Sequence, residues 1–120
     1  MHEFTLVTTL LEQVDKLRMS QDAGRVVTIH VSVGEFSGVE PELFQEAYDI
    51  SVQDSPLDGA ELQVTRVPLQ ARCQDCDTEF PVRKFRFECP TCTGRNLNLI
   101  SGEGLVLESV TMEHEAREPW

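Results

Sequence analysis

Residues 73 to 92 read CQDCDTEFPVRKFRFECPTC, and the reading of this stretch sets the organisation of the whole chain. Cys73 and Cys76 make one Cys-x-x-Cys pair and Cys89 and Cys92 a second, with twelve residues between the pairs. Each pair can form a knuckle in which two thiolates converge on one ion, and a short hairpin over the intervening residues brings the knuckles together in a tetrahedron. Four thiolates leave no coordination position open to water, so the spacing predicts a structural zinc site rather than a catalytic one. Iron in a rubredoxin-like site suits the same donors and stays open on the residues alone. Two disulfides would use the same cysteines, but this pairing is the pattern of metal ligation in a reducing cytosol. Pro90 inside the second pair and Gly94 just beyond it supply the restricted and permissive backbone positions that knuckle turns require.

The cysteine segment, from about Ala71 to Leu99, is rich in turns and carries only Phe80, Val82, Phe85 and Phe87 as bulky apolar residues through its middle. So little apolar material cannot hold a fold together, which makes the metal the expected staple of a module spanning 70–99.

Outside this module the patterning is that of an α/β layer. Val7, Leu10, Leu11, Val14 and Leu17 recur at three- and four-residue intervals and predict a helix over 4–18, ending near Ser20 to Gly24. Val26 to Val33 alternates, with Val27, Ile29, Val31 and Val33 on one face and Thr28, His30 and Ser32 on the other, as in a half-buried strand. After a turn over Gly34 to Gly38, Glu40-Pro41-Glu42 marks a helix start, and Leu43, Phe44, Ala47, Tyr48 and Ile50 form its expected buried stripe. The turn Ser55 to Gly59 leads to a second strand, Ala60 to Val67, ended by Pro68. A third strand is expected over Leu105 to Met112. The fold class is therefore α/β: two helices on a small three-stranded sheet, formed by 1–69 plus 100–120, with the four-cysteine zinc-ribbon-like module inserted between the second and third strands. The tail from Glu113 to Trp120 is expected to fray.

At 120 residues, with ten basic and twenty-one acidic side chains and a net charge of -11, the chain has room for one main domain and repels polyanions. A rival reading as a zinc ribbon that binds nucleic acid would rest on Arg83-Lys84-Phe85-Arg86, but such binding depends on phosphate neutralisation, which this charge balance opposes. No apolar run reaches bilayer-spanning length, and Met1 to Leu11 lacks the features of an export signal, so a soluble, cytoplasmic protein is expected. No defensible Ser-His-Asp arrangement or phosphate-binding loop is present, so no enzyme activity is expected.

The chain starts Met1-His2-Glu3. A histidine at position two can offer its imidazole Nδ1 and its own deprotonated amide nitrogen together with the amine of Met1, a nitrogen set that favours Ni2+ or Cu2+. Read alone, His2 is more simply an exposed terminal residue, since a lone histidine carries little information. His30 and His114 read as surface residues.

Met1-His2-Glu3, Gly34 followed by Ser37-Gly38-Val39 and Pro41-Glu42, Gly59-Ala60-Glu61-Leu62, Pro68, the two cysteine pairs and Gly102 together resemble the HypA/HybF family of nickel-incorporation accessory proteins, in the right order along essentially the whole chain. The resemblance implies a nickel metallochaperone for maturation of nickel-iron hydrogenase, with Ni2+ as transient cargo and Zn2+ as a structural ion. It implies nickel held by the Met1 amine, the His2 side chain and the backbone amides of His2 and Glu3. It also implies a HypB-type GTPase and the hydrogenase large subunit as partners, service to urease maturation in some members, and a monomer or weak dimer. Phe4-Thr5-Leu6 and Ser55 to Asp58 depart from the family patterns.

Overall fold

In the computed structural model, residues 3–21 and 24–113 are described; Met1, His2 and the tail from His114 lie outside them. The order of elements is α1 (Glu3–Ser20), β1 (Arg25–Gly34), α2 (Pro41–Ser51), β2 (Glu61–Val67), β3 (Gln70–Cys73), β4 (Glu79–Pro81), β5 (Leu97–Ser101) and β6 (Leu105–Glu113), with one 3-10 turn, Val52–Asp54, after α2.

β1 is the centre of the first sheet, whose order is β2-β1-β6. It runs parallel to β2 and antiparallel to β6. A parallel pair needs a crossover, and α2 supplies it. Pro41 at the start of α2 fixes the backbone for entry, and Tyr48, 2% exposed, donates its hydroxyl to the Ala60 carbonyl at 2.6 Å, tying the helix to the turn ahead of β2. Burial, with smaller contributions from Asp49 and Asp58, pushes the phenol up to about 12, so it remains a donor at any physiological pH. Val7, Leu10, Leu11 and Val14 of α1 and Phe44, Ala47 and Tyr48 of α2 close on Ile29, Val31 and Val33 in one apolar core.

The expected helices, three-stranded sheet and inserted excursion are all present, with four local corrections. The sheet register shifts between Val26 and Thr28, a bulge that turns Val26 into the core and leaves Val27 half-buried, so the alternation starts one residue away from where the sequence places it. Leu17, near the end of α1, is exposed because the core ends at Val14. Leu43 and Ile50, seven residues apart and so on the same flank of α2 beside its buried stripe, are also exposed. The module has its own sheet, β4-β3-β5, and a second core of Leu69, Ala71, Phe80 and Val82 backed by Leu97 and Leu99, whereas Phe85 and Phe87 face solvent.

Only Pro68 and Leu69 separate β2 from β3, and the return passes through Gly102 between β5 and β6. At this junction backbone meets backbone. The Phe36 amide donates to the Gly102 carbonyl at 2.7 Å, and the Gly34 amide to the Gly104 carbonyl at 3.0 Å. A Cβ on Gly102 would stand 2.6 Å from the Pro68 carbonyl oxygen, at a backbone φ of 87° that side chains rarely adopt, and a Cβ on Gly34 would strike the Gly102 backbone. These glycines set the two sheets against each other without an intervening side chain.

Candidate metal centre

Two turns of matching geometry build the centre. In the first, the Cys73 amide donates to the Thr78 carbonyl at 2.9 Å and the Asp77 amide to the Cys73 carbonyl at 2.8 Å. In the second, the Cys89 amide donates to the Gly94 carbonyl and the Thr93 amide to the Cys89 carbonyl, both at 2.9 Å. Asp77 and Thr93, each directly after the second cysteine of its pair, take up left-handed backbone with φ of 62° and 59°. Holding two non-glycine residues there costs about 1–2 kcal/mol each, a cost that the surrounding structure must offset.

The turns aim four sulfurs at one point. Cys73 Sγ lies 3.5 Å from Cys92 Sγ, Cys76 Sγ 3.5 Å from Cys89 Sγ, and all four lie within 4.8 Å of one another. Ligands at about 2.3 Å from a central ion stand about 3.8 Å apart in a tetrahedron, so the spacing fits a tetrahedral thiophilic ion and no protein atom has to move far. In each pair the first cysteine is buried and the second exposed. Cys73 and Cys89 thus belong to the module's core, and Cys76 and Cys92 cap the ion on its solvent side.

Hydrogen bonds tune the sulfurs. Thr78, through its hydroxyl 3.1 Å from Sγ and through its amide, draws the Cys76 thiol down to about 6. The Gly94 amide acts the same way on Cys92, but the neighbouring thiols outweigh it and push that thiol up to about 12. The pair describes a metal-free cluster in which one sulfur readily carries the negative charge that another then cannot; a divalent cation removes that conflict.

Pro90 lies in the second knuckle as expected. Gly94 does not serve as the permissive backbone position, since Thr93 carries the left-handed conformation. Gly94 is small for a steric reason: a Cβ there would meet Cys92 Sγ at 3.2 Å and Asp75 Oδ2 at 3.1 Å. Thr78 and the Asp77 and Thr93 turns were not singled out from the sequence, although aligning the two cysteine pairs on each other brings Asp77 and Thr93 into register.

Of the expected nickel donors, Met1 and His2 lie outside the described residues, and Glu3 opens α1. The first amides of a helix have no acceptor inside it, so coordination through the Glu3 nitrogen would break no helical hydrogen bond. His30 is bonded to Thr65 at 2.7 Å on the face of the sheet opposite the helices. The four cysteines are the one cluster of metal-ligating side chains among the described residues. No described helix is long and apolar enough to cross a membrane.

Residues 1–112 match the family model for HypA, described as hydrogenase/urease nickel incorporation metallochaperone. Among curated relatives, the hydrogenase maturation factor HypA of Wolinella succinogenes is 36% identical over 96% of this chain and 98% of its own length. That of Shewanella baltica is 33% identical with the same coverage. In fold, the chain resembles the solution structure of the nickel metallochaperone HypA from Helicobacter pylori, with a TM-score of 0.69 at 23% identity, covering 96% of this chain and all of that one. A second HypA solution structure gives 0.73 at 24% identity.

Proposed function

We propose that this chain, which belongs to the HypA family of hydrogenase and urease nickel-incorporation metallochaperones, carries Ni2+ on its first three residues and keeps Zn2+ at its four cysteines as a structural ion. The observation that carries the division is the closed tetrahedron of sulfurs within 4.8 Å of one another, which has no room for a ligand to be exchanged. Cargo that must be handed over needs a reversible site, and the few nitrogen donors of Met1, His2 and Glu3 would supply one.

Nickel is held by the Met1 amine, the His2 imidazole and the backbone amides of His2 and Glu3. Cys73, Cys76, Cys89 and Cys92 hold zinc, which supplies folding energy to the module and takes no part in transfer. The protein works as a carrier in the cytoplasm and not as a catalyst. It works with a HypB-type GTPase and delivers nickel toward the hydrogenase large subunit, with urease maturation a second destination. Because amine, imidazole and amide nitrogens bind the metal only without their protons, acidification favours release.

Nickel titration of the chain beginning at an unblocked Met1, against a version extended by a few residues ahead of it, tests this reading. Extension removes the amine donor, and nickel affinity should fall by at least about tenfold, the loss of one metal-ligand contact being worth no less than a disturbed supporting contact. Equal affinity in the two proteins would refute the terminal site.

A further inference from the structure

We propose that Phe36, Phe85 and Phe87, with Arg83, Lys84, Arg86 and Arg95 around them, form a docking surface for a short acidic segment of a partner protein that carries at least one bulky apolar side chain.

Three observations converge on this patch. Phe36, from the loop after β1, stands edge-on to both Phe85 and Phe87, with ring centroids 5.7 and 5.9 Å apart. Despite that mutual contact the three rings stay 47%, 58% and 37% exposed, an apolar surface that water covers in the free protein. Four of the chain's ten basic residues lie within 83–95; Arg86 and Arg95 line one surface pocket with Phe85, Phe87 and the single acid Glu88, and among the described residues none of the four forms an ion pair, although Arg18, Arg66 and Arg72 all do. The third is backbone strain. The Arg86 amide closes a turn on the Arg83 carbonyl at 3.0 Å, and both central residues are left-handed, Lys84 with φ 53° and Phe85 with φ 55°. Turns of this kind normally carry Asn and Gly at these positions. Here a lysine and a phenylalanine occupy them at a conformational cost, and the result is a charge and an aromatic ring held outward side by side. Strain kept in a surface turn that buries neither side chain points to use by a partner.

The chemistry selects the occupant. Unpaired guanidinium and ammonium groups call for carboxylates, and open ring faces and edges for an apolar side chain. A nucleic acid would also offer anions and flat rings. Its phosphates, however, continue beyond the patch over a chain of net charge -11, whereas a short peptide need place only a few carboxylates on the four cations.

The test is selection of short random peptides, displayed on phage, against the full zinc-loaded chain, followed by binding of the retained peptides to variants. Retained sequences should combine Asp or Glu with Leu, Phe, Trp or Tyr, and their binding should weaken as salt rises. Arg83→Glu combined with Lys84→Glu and Arg86→Glu should reduce affinity at least about tenfold. Phe85→Gly should do the same while holding or raising the melting temperature and keeping zinc content, because glycine relieves the left-handed turn. Nickel binding is read in parallel and should not change in either variant, which separates this proposal from the nickel reading. Five outcomes would overturn it: retained peptides without acidic residues, binding indifferent to the charge reversals, tighter binding to a single-stranded oligonucleotide than to the peptides, self-association that Phe85→Gly abolishes, or loss of zinc or stability in Phe85→Gly, which would assign the ring a structural role instead.

Discussion

Cys73→Ser is expected to lose the bound metal and unfold residues 70–99, with the helices and the first sheet left standing. Cys73 is fully buried, its Sγ 3.5 Å from that of Cys92, and it is at once a ligand, the last residue of β3 and part of the module's core. A structural zinc contributes about 10–16 kcal/mol of apparent binding energy to a small module. The apolar alternative is a handful of side chains, Leu69, Phe80 and Val82 foremost, at about 1.5–3 kcal/mol each. Against them stands about 1–2 kcal/mol for every residue ordered, so the module cannot stand without its ion. The core between the helices and the first sheet is a separate cluster that contains no cysteine, which confines the damage. Metal analysis should show close to no zinc. Amide exchange should become fast in β3, β4 and β5 and remain slow in α1 and β1. A chelator strong enough to strip the wild-type chain should reproduce the pattern.

His2→Ala is expected to reduce nickel affinity by at least about a hundredfold and to leave zinc content and fold unchanged. Groups that merely support a metal ligand are worth about tenfold to a hundredfold, and His2 is proposed as a ligand itself, the only one of the set contributed by a side chain. Amine and amide nitrogens alone close a weaker chelate once the imidazole is gone. The site also adjoins the start of α1, where the helix dipole places about half a positive charge, an arrangement that works against any bound cation. Glu3 in the first turn opposes it with a carboxylate. A nickel ion there is held by few donors in a field that does not favour it, so the loss of the strongest side-chain donor has little to compensate it. Thermal unfolding should be unaltered.

The three-stranded sheet, both helices and the excursion between β2 and β6 were legible because each element carries its own period, 3.6 in α1 and α2 and 2 in β1 and β2. The errors fall where a longer-range contact overrides that period. Val26 enters the core through a bulge set by pairing with β6, which no pattern inside β1 announces. Ile50 shares the flank of Leu43, beside the face that Phe44, Ala47 and Tyr48 bury, and stays exposed. Phe85 and Phe87 entered the sequence reading only as part of the module's sparse apolar material, and their outward placement beside a left-handed turn from Arg83 to Arg86 is a conformation that Lys84 and Phe85 give no reason to expect. The four cysteines were legible for the opposite reason: metal geometry constrains sequence spacing directly, and the sulfurs converge as that spacing required. Thr78 and the left-handed Asp77 and Thr93 were hidden because their roles come from backbone geometry that many residue types can adopt.

X-ray absorption at the nickel edge of the chain loaded with one equivalent of Ni2+ reads the donor atoms without interference from zinc. Capture at the chain start gives a first shell of nitrogen and oxygen that includes imidazole scattering, with zinc remaining in a shell of sulfur. Nickel surrounded by sulfur, with no imidazole contribution, would place the cargo at the cysteines and end the proposal of two metals with separate duties.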